Sequence, residues 1–102
     1  MTSDAERKLT EAGWPLEDLD FGREDEPDIC GCILINEVDD GLQARLIIRP
    51  GLDRDLRASF AEWAVQRIGR FAEHGPEPDG WQRRTDGAWQ LWARGVDLPA
   101  ID

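Results

Sequence analysis

The chain has 102 residues, of which 40% are hydrophobic, and its 22 acids against 12 bases give a formal net charge of −10. This length favours one domain with one modest core, and no apolar run approaches the ~20 residues that a membrane span needs. The charge argues against direct binding to nucleic acid or to an anionic membrane, because both are polyanions, and it favours a basic protein as partner.

The first 28 residues are predicted to form an acidic segment made of one short helix and a loop. Ser3 and Glu6 fit a capping box, which begins a helix over about 4–12, and Gly13 is a natural end. Four apolar side chains are expected to pin the irregular stretch that follows to the core: Trp14, Leu16, Leu19 and Phe21. The segment contains no apolar stretch for a signal peptide, so we expect a cytoplasmic protein.

Two strands are predicted next, joined as a hairpin. Residues 29–36 are apolar on both faces, which is the pattern of an interior strand. Residues 42–49 alternate between apolar and polar side chains, so one of their faces is expected to lie on the core.

The strongest helical pattern in the chain covers residues 54–74. Apolar side chains recur there at helical spacing: Leu56, Phe60, Ala64, Ile68 and Phe71. Asp53 is a suitable N-cap, and Gly75 followed by Pro76 marks the end. Gly69 is an internal weak point that costs about 1 kcal/mol relative to alanine.

A second hairpin is predicted with strands over about 81–85 and 88–94, because Asp86 and Gly87 are the favoured pair for a type I′ turn. Residues 96–102 are expected to be an irregular tail. The sequence therefore predicts a single α+β domain over 1–102, with elements in the order α-ββ-α-ββ. The long helix packs on one face of an antiparallel sheet of about four strands, and residues 29–95 form the ββαββ core.

The two cysteines raise the question of a metal or redox site. Cys30 and Cys32 are two apart on a strand, which places their Cα atoms about 6.5–7 Å apart, at or beyond the usual limit for a disulfide. A zinc site needs about four ligands, and the chain adds only one histidine, His74, to the two thiols. Core packing is the favoured interpretation. A metal or thiol site at this pair is the alternative, and no cofactor is predicted.

The sequence offers few of the residues and motifs that catalysis requires. Ser59 and His74 lie about 22 Å apart on the predicted helix, so they cannot form a catalytic dyad. The chain has no phosphate-binding glycine motif and no zinc-protease motif. We therefore predict that the protein is not an enzyme.

The predicted partner-binding surface combines N-terminal acids with two tryptophans. Residues 1–28 hold ten acids against three bases, a net charge of −7. The candidate acids are Glu17, Asp18, Asp20, Glu24, Asp25, Glu26 and Asp28. Trp81 and Trp92 are added because an exposed tryptophan beside arginines is typical of binding hot spots. The alternatives are that the acids only keep the protein soluble and that the rings belong to the core.

The function predicted from these features is that of a non-catalytic inhibitor, whose acidic surface occludes a basic surface of a partner protein, such as a nucleic-acid-binding surface. Immunity proteins, antitoxins and phage anti-defence proteins act in this way, and the comparison is by class only. As an alternative, the order of helix, strands, long helix and strands, with a low pI and about 100 residues, resembles the secretion-chaperone-like fold. That resemblance implies a homodimeric adaptor that binds an extended peptide through apolar patches, so both monomer and homodimer are kept as expectations.

Overall fold

The computed structural model describes residues 3–22, 25–39, 41–76 and 80–99. Their order along the chain is α-βββ-α-ββ, which confirms the α+β class and the long helix over the predicted residues. The elements are α1 (Asp4–Glu11), β1 (Leu16–Asp18), β2 (Ile29–Val38), β3 (Gly41–Ile48), α2 (Arg54–His74), β4 (Gln82–Arg83), β5 (Trp89–Arg94) and a 3-10 turn over Gly95–Asp97.

The sheet has five strands in the order β1-β3-β2-β5-β4, and it is mixed where about four antiparallel strands were predicted. The additional strand is β1, which pairs in parallel with β3 and aligns Leu16 with Leu46. Three residues are too few to show an alternating pattern, which is why this stretch reads as irregular in the sequence. β1 is therefore held in place by its long-range partner and by packing rather than by local propensity.

One side of the sheet is covered by α2, and the main hydrophobic cluster lies between them. Phe60 from α2 and Ile33 from β2 are fully buried at its centre, and Ala5 and Leu9 of α1 extend the cluster beside α2. The helix ends follow the sequence signals. Asp53 accepts hydrogen bonds from the backbone N–H groups of the first turn of α2, and the C-cap at its other end is Gly75 with φ of 75°.

The second hairpin differs from its prediction. Asp86 does not take the positive φ that a type I′ turn requires, because its carboxylate accepts a hydrogen bond from the N–H of Ala88 at 3.0 Å. Gly87 alone has a positive φ, 92°, and its N–H donates to the carbonyl of Arg84 at 3.1 Å. The result is a three-residue loop, so the strand before it is shortened to two residues.

β2 approaches β3 unusually closely at Gly31. The pairing of β2 with β5 shifts register between Ile29 and Gly31, which is a β-bulge. A Cβ atom built on Gly31 would lie 2.2 Å from the carbonyl oxygen of Ile47. Only glycine allows the two backbones to approach in this way.

Neither α1 nor α2, the helices within the described residues, is both long and apolar enough to cross a membrane.

Candidate protein-binding surface

The predicted N-terminal acids extend from the β1 edge of the sheet to the start of β2, beside the end of β5. Glu17 and Asp18 belong to β1, while Asp20, Asp25, Glu26 and Asp28 lie in the connection from β1 to β2. Glu24 lies outside the described residues. The structure thus gathers the described members into one strand and the segment that follows it, and their role in partner binding stays a prediction.

Arginines from distant elements neutralise two of these acids on β1. Arg45 of β3 donates from Nε and Nη2 to the two carboxylate oxygens of Glu17, at 2.9 and 3.2 Å. Arg57 of α2 lies 3.4 Å from Asp18 and 2.6 Å from Glu6. Glu6 therefore turns toward Arg57, and only the Ser3 half of the predicted capping box is formed, with the Ser3 hydroxyl accepting from the N–H of Glu6.

A second arginine cluster closes the connection onto β5. Arg94 donates to Asp28 at 2.7 Å and to Glu26 at 3.3 Å. Arg49 donates from its guanidinium to the backbone carbonyls of Ile29 and Glu26. These contacts fix the entrance to β2, and they leave less negative charge on this side than the sequence total implies.

The hydrogen bond from Arg94 holds the pKa of the Asp28 carboxyl below its ordinary value. A lowered folded-state pKa gives stability that is present above the ordinary value and is lost as the pH falls through the folded value. We expect the Asp28 resonance to titrate at a higher pH in an Arg94→Gln variant than in the unmodified protein. Carboxyl-detected NMR measures the titration of Asp28 in both proteins. Equal titration midpoints would show that Arg94 does not stabilise the carboxylate.

Other carboxylates make no ion pair within residues 3–22, 25–39, 41–76 and 80–99. They are Glu11, Asp20, Asp25, Glu37, Asp39, Asp53, Asp55, Glu62 and Asp97. Asp20 accepts a hydrogen bond from the N–H of Gly22, which fixes the position of its carboxylate. The uncompensated negative charge of the described residues is thus spread over several elements.

Glu37, Val38 and Asp39, which we name the hairpin tip, form one exposed stretch whose two acids have no ion pair with any described residue. Val38 is 46% exposed between the two acids. The arginines of this hairpin lie toward its other end: Arg45 is engaged with Glu17, and Arg49 with carbonyl groups. Residues 29–49 hold three acids and two arginines, and their net charge of −1 does not show this separation.

The two candidate tryptophans are half-buried. Trp81 packs its ring against Phe71 of α2, with 5.0 Å between centroids, and Trp92 packs against Phe21 at 5.5 Å. The guanidinium of Arg83 lies over the ring of Trp89, 5.0 Å from its centroid. Both rings therefore contribute to packing while leaving part of their surface to solvent, and their binding role stays a prediction.

Cys30 and Cys32 are both buried, as the apolar strand pattern predicts. Burial raises the pKa of both thiols, which favours the protonated form over the thiolate that binds metals and attacks electrophiles. His74 lies at the end of α2, largely exposed and 3.5 Å from Glu73. Among the described residues, no group of three or more His, Cys, Asp or Glu side chains is placed to hold a metal ion.

An open pocket of about 590 Å³ lies between the hairpin tip and the C-terminal half of α2. Its lining is mostly apolar: Trp14, Glu37, Val38, Gly41, Leu42, Ile68, Gly69, Phe71, Ala72 and Gly75. The sequence pattern marks Gly69 only as a weak point in the helix and gives no sign of a cavity beside it. The pocket is thus an apolar concavity that adjoins the acidic hairpin tip.

Comparison with protein-family models, with curated proteins and with solved structures finds no match for this chain. Its function therefore has to be inferred from its own residues.

Proposed function

We propose that this protein is a non-catalytic, cytoplasmic binding module whose acidic surface docks on a basic surface of a partner protein and occludes it. A partner's basic surface that binds nucleic acid is a suitable target, because nucleic acid and the acidic surface of this protein both present negative charge. The observation that carries the proposal is the set of exposed carboxylates that have no arginine partner within the described residues.

Location decides which of the acids can contact a partner. Glu17 and Asp28 already accept hydrogen bonds from arginines at 2.9 and 2.7 Å, so a partner's cation would have to compete for them. Glu37 and Asp39 have no such competitor within the described residues and extend at the end of a hairpin. Asp20 and Asp25 offer a second uncompensated pair, within the segment predicted from sequence.

The test is affinity capture from native lysate at low ionic strength, followed by binding measurements with the captured protein. Raising the salt from about 0.01 M to about 0.15 M shortens the Debye length from ~30 to ~8 Å, so binding through these acids must weaken. We expect the Glu37→Gln/Asp39→Asn variant to lose about tenfold in affinity, roughly 1.4 kcal/mol for two exposed ion pairs.

Two further double variants make the comparison specific, since each also raises the net charge by two units. Asp20→Asn/Asp25→Asn tests the predicted N-terminal surface, and Glu62→Gln/Asp97→Asn removes uncompensated acids from α2 and the 3-10 turn as a control. Equal affinities for all three would mean that only total charge matters and that no docking surface exists. A captured partner that is acidic, or binding that is indifferent to salt, would contradict the proposal outright.

A second candidate, the homodimeric adaptor that binds an extended peptide, is favoured by the apolar pocket, because an adaptor needs apolar surface for its ligand. Sedimentation discriminates between the two candidates. A dimer that persists on dilution favours the adaptor, and a monomer favours the acidic docking module.

A further inference from the structure

We propose that the pocket between the hairpin tip and α2 binds an apolar side chain flanked by lysine or arginine in a segment of the partner protein. This inference rests on the proposed function, because it names the place where a basic partner inserts. Three properties of the pocket support it: its apolar floor, its charge and an otherwise unexplained glycine.

The floor of the pocket is formed by side chains that belong to the main hydrophobic cluster or pack against it. Ile68 and Phe71 of α2 belong to the cluster, and Trp14 and Leu42 pack against it while remaining partly exposed. A volume of about 590 Å³ is within the usual range of small-ligand sites, so one large aliphatic or aromatic side chain and its neighbours fit. The pocket therefore offers apolar burial that the protein does not use itself.

The charges around the pocket select a cation. Glu37 is an exposed acid of the lining, and no described residue of the lining is basic. The C-terminal end of α2 adjoins the pocket through Gly75, and a helix C-terminus carries partial negative charge. The half-buried ring of Trp14 adds an aromatic face that attracts ammonium and guanidinium groups. An acidic segment would meet repulsion at each of these points.

Gly69 keeps the floor open. A Cβ atom added there meets nothing within 4 Å, and its φ lies outside the left-handed region, so packing and backbone conformation do not require glycine. Glycine inside a helix lowers its stability relative to alanine. The unoccupied space above Gly69 is therefore where a partner's side chain enters.

The probe for this site is the capped peptide acetyl-Gly-Lys-Phe-Lys-Gly-amide, titrated into the full chain and followed by ¹H–¹⁵N NMR. We expect saturable shifts at the amides of Gly69 and Gly75 and at the indole N–H of Trp14. Two control peptides, with Glu in place of both Lys or with Ser in place of Phe, should each bind at least about tenfold more weakly.

Variants test the location. Gly69→Leu fills the floor with a good helix former and is expected to weaken binding of the basic peptide about tenfold or more. Glu37→Gln should weaken it less, because the apolar contacts remain. Gln66→Leu places the same side chain on the exposed face of α2, outside the lining, and should leave binding unchanged; thermal unfolding checks that each variant is folded.

The proposal is overturned if no shifts occur at several millimolar peptide, if the Glu peptide binds as well as the Lys peptide, or if Gly69→Leu has no effect. Its failure is distinguishable from failure of the proposed function. Salt-sensitive capture that depends on Glu37 and Asp39 but ignores Gly69→Leu would reject the pocket and keep the docking surface. Salt-indifferent capture would reject the docking surface, and with it this pocket as the partner's point of entry.

Discussion

Replacing Gly31 by alanine is expected to lower the free energy of unfolding by about 3 kcal/mol or more, at the upper end of the usual cost of overpacking. The added Cβ would lie 2.2 Å from the carbonyl oxygen of Ile47 and 3.0 Å from the Cα of Ile48. Both are backbone atoms, so no side-chain rotation relieves the contact. β2 would have to move away from β3 at the centre of the sheet, and urea unfolding followed by tryptophan fluorescence measures the loss.

Gly69→Ala is the matched control, since it makes the same chemical change inside another regular element. Its Cβ meets nothing within 4 Å, and alanine favours a helix over glycine, so the free energy of unfolding should rise by about 0.5–1 kcal/mol. The two substitutions should therefore have opposite signs. A Gly31→Ala protein as stable as the unmodified chain would show that β2 and β3 do not approach this closely.

Truncating Phe60 to alanine is expected to cost about 3–5 kcal/mol, because it leaves a cavity at the centre of the core. Phe60 is fully buried between α2 and the sheet, and its ring centroid lies 5.7 Å from that of Trp63. A domain of this size has a total stability of only about 5–15 kcal/mol, so this one variant removes a large part of it.

Phe21→Ala provides the comparison for Phe60→Ala. Phe21 is half-buried, with its ring against Trp92 and under the guanidinium of Arg49, away from the main cluster. Its truncation should cost less than half as much, because solvent can occupy the vacated space. Denaturant unfolding of both variants checks the ratio, and equal losses would mean that the core is not centred on Phe60.

The sequence predicted correctly those elements whose pattern and end signals lie within their own residues. The long helix carries its own apolar stripe, with Asp53 and Gly75 at its ends, so its bounds agree with the structure. The alternating pattern of β3 likewise fixed its inner face. By contrast, β1 pairs with residues about thirty positions away, and three residues carry no recognisable period. The Asp86–Gly87 turn was mispredicted because a side-chain hydrogen bond selected another loop.

The candidate site was harder to predict than the fold, because it depends on which charges meet in space. Arg57 and Glu6 are 51 residues apart in sequence, and Arg94 and Asp28 are 66 apart. Without those contacts, every N-terminal acid counts equally toward the net charge. The hairpin tip shows the opposite error, since a charge total over residues 29–49 does not reveal that Glu37 and Asp39 make no ion pair among the described residues.

The parallel junction between β1 and β3 has a consequence for how the molecule comes apart. The hairpin of β2 and β3 closes over a short turn, whereas β1 joins the sheet only after about thirty intervening residues have been ordered. Because of this cost in chain entropy, β1 is expected to pair late during folding and to detach first under destabilising conditions. When β1 detaches, the backbone of Leu46–Ile48 becomes an exposed sheet edge that can pair with another chain. Conditions that unfold the first twenty residues should therefore promote self-association at temperatures well below global unfolding.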